Sequence, residues 1–296
     1  MLEDLGTSVS SSNNLQEIDK IIKKSKDISR ILFKDISISD KKDIFFISNF
    51  HEPFNPSLLW YKNDWLVSKF NIHYFLSWAD LFNRSDKESN INERYIGFAD
   101  VDYSNHLNSF VSLEETRQEI NKSSVNFKNS KKFFSDQVNS KNIFATDKEN
   151  SVIHFATHNT SIEKYGFSDI PALVVFKDKK NSIVDDGFLD AFEIQKLNLQ
   201  NSDIILSACS TLYSNDSDEN FSKLIRSFKI SGARSIMATR WDIESFSAVK
   251  FSSEYINLIS SGTRPGEAVS KMQRSFISSQ NYYHPFYWGP YIAVGY

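Results

Sequence analysis

Two rhythms of apolar residues alternate along this chain. In residues 15–33 the positions Leu15, Ile18, Ile22, Ser25, Ile28 and Leu32 fall on one face at helical spacing, which predicts an amphipathic helix. Residues 43–48 predict a strand, and 65–67 and 72–76 two more short ones. The stretch 83–94 is charged and poor in apolar residues, so it reads as a linker between two lobes, residues 1–92 and 93–296. Beyond it, strands at 95–99, 124–127, 151–159, 172–176, 203–211, 234–239 and 291–294 are interleaved with helices at 113–120, 131–138, 190–197, 221–230 and 245–260. Gly232 and Gly262 stop two of those helices, and Pro265 opens a last one at its first position. Strands that are apolar along their whole length, separated by helices, predict an α/β protein with a mainly parallel sheet covered on both faces.

Composition narrows the class. At 296 residues, 40 % hydrophobic and with 25 Phe, the chain can bury one large core or two lobes sharing one. A net charge of −3 argues against a nucleic-acid face as the main activity. The basic clusters Lys23-Lys24, Lys41-Lys42 and Lys177 to Lys180 are short and read as solvated surface. No run approaches the ~20 apolar residues of a membrane span, and Met1 to Thr7 lack the regions of a signal peptide. A single cysteine forms no intrachain disulfide. The expectation is a soluble protein of a reducing cytoplasm.

Two apolar runs carry the chemistry. The first, Ser151-Val-Ile-His-Phe-Ala-Thr-His158, ends on an imidazole, and the second, Asp203-Ile-Ile-Leu-Ser-Ala-Cys209, ends on the one thiol. In open α/β sheets, active groups gather beyond the carboxyl ends of the strands. If the two strands are neighbours, His158 can help to deprotonate Cys209, whose thiol, with an ordinary pKa of ~8.5, is mostly protonated at pH 7. By pattern alone, Cys209 reads more readily as a small buried hydrophobe than as a nucleophile. His154, four residues before His158, lacks the His-Glu-x-x-His context. On a strand the two imidazoles would lie about 13 Å apart at ~3.3 Å per residue, too far for one metal ion. His154 therefore reads as a core histidine satisfied by a neighbour, with some part in shaping the site. There is no phosphate loop, dinucleotide fingerprint or serine elbow, and Asp185-Asp186-Gly187 reads as a turn.

The ordered motifs resemble the CHAT domain, the caspase-like cysteine peptidase module related to separase. They are Ile153-His-Phe-Ala-Thr-His158, Ala172-Leu-Val-Val-Phe176, Asp185-Asp-Gly-Phe-Leu189 and Phe192-Glu-Ile-Gln-Lys-Leu197. Asp203-Ile-Ile-Leu-Ser-Ala-Cys-Ser-Thr211, Gly232-Ala-Arg-Ser-Ile-Met-Ala238, Gly266-Glu-Ala268 and His284-Pro-Phe-Tyr-Trp-Gly-Pro-Tyr-Ile-Ala-Val-Gly295 complete the set. Ile44-Phe-Phe-Ile47, Pro53-Phe54 and Phe75-Leu-Ser77 extend it into the first lobe.

The resemblance implies a caspase-hemoglobinase-like three-layer sandwich, with residues 1–92 as a degenerate caspase-like lobe and 93–296 as the catalytic one. It implies a regulated cysteine endopeptidase acting on a specific protein partner, in a defence or cell-death setting, with any regulatory or sensor module on a separate chain. It implies the dyad His158 and Cys209, an oxyanion held by the backbone N–H groups of Asn159 and Cys209, and no metal or cofactor. The family usually has Gly where this chain has Asn159, a residue that tolerates positive φ better than other non-glycine types. Arg240 and Trp241 are candidates for substrate contact, and Asp186 for recognition of a basic side chain. The competing expectation is a catalytically silent scaffold of the same fold.

Overall fold

The structure is a computed structural model that describes residues 5, 8–9, 17–34, 36, 38, 41–47, 55–82, 93–107, 110–178, 186–207, 217–241, 243 and 245–295, with 217–221 and 245 as backbone alone. The chain opens with α1 (Ile18–Leu32), β1 (Asp43–Ile47), β2 (Trp60–Tyr61), β3 (Asp64–Trp65), α2 (Leu66–Lys69), β4 (Asn71–Phe75) and α3 (Trp78–Phe82). Then come β5 (Arg94–Ala99), α4 (Glu115–Ser124), β6 (Asn129–Phe134), α5 (Ser140–Ala145), β7 (Val152–Ala156), β8 (Asn159–Lys164) and β9 (Phe167–Val174). The rest is β10 (Phe188–Asp190), α6 (Ala191–Ile194), β11 (Asp203–Leu206), α7 (Ser217–Ile230), β12 (Ser235–Thr239), α8 (Ser245–Ser260), α9 (Pro265–Ile277), α10 (Pro285–Trp288) and β13 (Tyr291–Gly295).

Eight strands form one sheet in the order β1-β4-β13-β12-β11-β7-β5-β6. Every neighbouring pair is parallel except β12 with β13. The strands β6, β5, β7, β11 and β12 therefore share one carboxyl edge. A smaller sheet, β10-β9-β8, follows directly from the end of β7. The N-terminal β1 and β4 join the large sheet through β13, where Val294 lies opposite Tyr74.

Alternate residues of the central strands face opposite layers, as strand geometry requires. Val152 and Ala156 of β7 join a core with Ile120 of α4, Phe251 and Tyr255 of α8, and Val269 and Met272 of α9. Ile153 and Phe155 join a second core with Leu224, Ile225 and Phe228 of α7 and Ile194 of α6. The sheet between two apolar layers is the three-layer arrangement expected. Among the described residues no helix is long and apolar enough to cross a membrane.

Four local expectations are corrected. Residues 131–138, predicted helical, form most of β6 and a short 3₁₀ turn (Ser135–Gln137). As the outermost strand, β6 is largely solvated, so it carries Lys131 and Lys132 without an apolar alternation; such charges also block edge-to-edge pairing. Residues 124–127, predicted as a strand, instead end α4 and turn back toward β6. Trp65-Leu-Val begins as the two-residue β3 and continues as α2. The stripe of α1 is also rotated: Ile21, Ser25, Ile28 and Ser29 are buried, while Leu32 is exposed. Ser25 Oγ donates to the Leu58 carbonyl (2.6 Å) and Ser29 Oγ accepts from Trp60 N–H (2.8 Å), so two serines are drawn inward. Of the predicted linker at 83–94, residues 83–92 lie outside the described residues, and Arg94 already begins β5.

Candidate active site

The two chemistry-bearing runs are neighbours. β11 pairs with β7 in parallel, from Asp203 opposite Val152 to Leu206 opposite Phe155. Ser207 extends the ladder by donating its N–H to the Phe155 carbonyl (3.2 Å). Both chains thus leave the sheet at the same edge, one toward His158 and one toward position 209. Cys209, candidate nucleophile and candidate oxyanion donor, lies outside the described residues, as does Asp185.

His158 sits at a reversal of strand order. From β5 the chain moves outward to β6, then returns to the other side of β5 as β7, so the loops after β5 and β7 diverge. Such a switch point opens a crevice above the sheet. A cleft of about 450 Å³ lies beside it, over the carboxyl ends of β5 and β6; it is lined by Asp100, Asp102, Tyr103, His106, Phe110 and Ser135 among others, and His158 is not in its wall.

The loop after β5 fixes the imidazole. His158 packs against Tyr103 (ring centroids 5.1 Å) and stacks on Phe110 (5.5 Å). Its Nε2 lies 2.8 Å from the Val111 carbonyl oxygen. A carbonyl accepts and cannot donate, so Nε2 carries a proton and Nδ1 is the nitrogen that can serve as a base. Beneath it, Thr157 is fully buried and its hydroxyl donates to the Val174 carbonyl. The Tyr103 hydroxyl then donates to Thr157 (2.8 Å) and accepts the His158 N–H (3.3 Å). Burial pushes the Tyr103 phenol up to about 12, so it keeps its proton.

Asn159 opens β8 opposite Leu173 and is 7 % exposed. Its φ is not positive, so nothing in the backbone at this position demands glycine. Val174 N–H donates to the His158 carbonyl (2.7 Å), which makes 158 and 174 the hydrogen-bonded pair. By the alternation of antiparallel ladders, the Asn159 N–H points away from β9.

The other candidates are dispersed. Arg240 follows β12 on the same carboxyl edge, and its backbone N–H donates to the Pro290 carbonyl (3.1 Å). Trp241 is 3 % exposed and donates its indole N–H to the Phe286 carbonyl (3.0 Å), which places its ring in the core. Asp186 belongs to an ionic cluster on the small sheet: its carboxylate takes Lys164 Nζ (2.8 Å) and the Phe188 N–H (3.0 Å). Lys164 also pairs with Asp190 (2.8 Å). Burial opposes its charge, but the Asp186 and Asp190 carboxylates outweigh that and hold the lysine above its usual range.

Tyr103, Phe110 and the Val111 carbonyl escaped sequence reasoning. A backbone acceptor leaves no mark in a sequence, and the 100–112 stretch has no periodicity. Among the described residues, no three His, Cys, Asp or Glu side chains form a group that could hold a metal ion.

A family model described as the CHAT domain matches residues 50–296. The chain is similar in structure to gingipain R, an Arg-specific cysteine proteinase, at 10 % identity and a TM-score of 0.53, over 98 % of this chain and 69 % of that one. A complex of the pro- and mature domains of the Porphyromonas gingivalis enzyme matches at 9 % identity and 0.51, over 98 % and 70 %. Separase of Saccharomyces cerevisiae, bound to securin, reaches 14 % identity and 0.43, over 77 % of this chain and 14 % of separase. Among curated proteins none matches.

Proposed function

The chain belongs to the CHAT domain family, and from that membership we propose that it is a cysteine endopeptidase that cleaves a specific protein partner through His158 and Cys209. Family and caspase-like fold together support a peptidase-type function. The observation that carries the finer reading is His158 itself: a half-exposed imidazole at the switch point, with Nε2–H engaged by Val111 and Nδ1 as the base.

In this reading His158 Nδ1 takes the proton of Cys209, and the thiolate attacks the scissile carbonyl carbon. The N–H groups of Asn159 and Cys209 hold the oxyanion. As the tetrahedral intermediate collapses, the His158 imidazolium protonates the leaving amine, and water then hydrolyses the thioester with His158 as base. The Val111 carbonyl steadies the cation formed on the ring. Arg240, on the same edge, is the candidate for substrate contact, and residues 1–92 serve as a non-catalytic lobe.

The test incubates the purified protein with a proteome-derived peptide library and identifies new N-termini by mass spectrometry. The expected result is cleavage by the wild type that is abolished in Cys209→Ala. Cleavage that persists in the variant overturns the dyad. An acyloxymethyl ketone probe separates the alternative, a silent scaffold, which would leave Cys209 unlabelled.

A further inference from the structure

A second histidine, four residues before His158, has a polar network of its own inside the protein. His154 is fully buried. Its Nδ1 meets the Tyr95 hydroxyl (2.8 Å), and its Nε2 meets both Ser207 Oγ (2.7 Å) and Glu119 Oε1 (3.1 Å). Glu119, 1 % exposed on α4, also accepts from the buried Ser252 hydroxyl of α8. The residue opposite His154 on β5 is Gly97. A Cβ there would lie 2.6 Å from Ile120 Cγ2, so the glycine lets α4 come close enough to lay Glu119 on the imidazole.

Burial, with the nearby Glu119 carboxylate, holds the Tyr95 phenol protonated, well above the usual tyrosine range. The phenol therefore donates to Nδ1, and the proton on Nε2 faces Glu119 and Ser207 together. This is not a serine-nucleophile triad. Glu119 and Ser207 share one nitrogen, and Nδ1, where an orienting carboxylate would bind, is taken by Tyr95.

The network's outlet is Ser207, two residues before Cys209. Its backbone is held by the Phe155 carbonyl and its hydroxyl by His154. Both anchors come from β7, the strand that also delivers His158. We propose that His154 is a positioning residue for the nucleophile: through Ser207 it fixes the carboxyl rim of β11, two residues ahead of Cys209 in sequence, against the strand that delivers His158. This inference rests on the His158/Cys209 reading above.

Because Cys209 is the one thiol in the chain, the rate of iodoacetamide alkylation against pH reports on it alone. In the wild type a thiolate paired with His158 reacts well below the ordinary thiol range of ~8.5. Ser207→Ala is expected to lower the pH 6 rate about tenfold, the equivalent of one pKa unit, with an unchanged thermal midpoint. Ser207→Thr, which keeps the hydroxyl, should restore the wild-type profile. A wild-type profile in Ser207→Ala, a failure of Ser207→Thr to rescue, or unfolding of Ser207→Ala each overturns the positioning role. His158→Ala tells the two readings apart. If it leaves the profile unchanged, the dyad fails and this inference with it. If it alone shifts the profile, the dyad stands and the positioning role fails.

Discussion

His154 and His158 leave the same strand four residues apart, yet they occupy opposite surroundings. His154 lies within the ladder of β7, fully buried, with Tyr95, Ser207 and Glu119 on its two ring nitrogens. His158 lies just past the strand, half-exposed, held by two aromatic rings and one carbonyl that binds a single nitrogen. A saturated imidazole inside the sheet can orient its neighbours, whereas one with a basic nitrogen left for chemistry can exchange protons. The difference comes from position along the strand, because the residue type is the same.

The contrast can be broken from either side. His158→Ala should lower kcat/KM by about 10²–10⁴, the usual worth of a general acid–base, while moving Tm by no more than ~2–4 °C. A comparable loss of stability would mean that the ring is structural. His154→Ala should behave the other way. It leaves the buried Glu119 carboxylate without its imidazole donor, and a buried acceptor left unsatisfied costs ~1–3 kcal/mol or more when charged, read as a fall in the urea midpoint at constant m-value. A cost below about 1 kcal/mol, the size of an ordinary hydrogen bond, would erase the distinction.

Gly97→Ala probes the same region from the opposite strand. Its methyl would collide with Ile120, and overpacking of this kind costs about 1–3 kcal/mol; chemical denaturation measures it, and a neutral result would show that α4 can withdraw freely. The smallest effect belongs to Asn159→Gly. With no positive φ to relieve, the change should leave turnover unaltered and cost ~0.5–1 kcal/mol through the entropy of a strand glycine. A marked rise in turnover would show that Asn159 restrains the site.

Sequence patterning worked where a strand is covered on both faces. β7, β11, β12 and β13 were legible because burial on two sides leaves an uninterrupted apolar run. It failed at β6, where an edge strand facing water carries lysines and mimics a helix surface. On α1 the predicted stripe included Ser25 but missed Ser29, which is buried where it accepts the Trp60 N–H, a contact that helical periodicity does not register.

The order of apolar runs and turns thus determined the fold class, and the two run ends determined which side chains could carry chemistry. What tertiary structure alone decided is which partners those side chains meet. The Val111 carbonyl reaches His158 from 47 residues away, Ser207 reaches His154 from 53, and Glu119 of α4 meets the His154 imidazole of β7. Such contacts form when the sheet closes, and their energies depend on burial and direction. Residue spacing along a chain encodes neither.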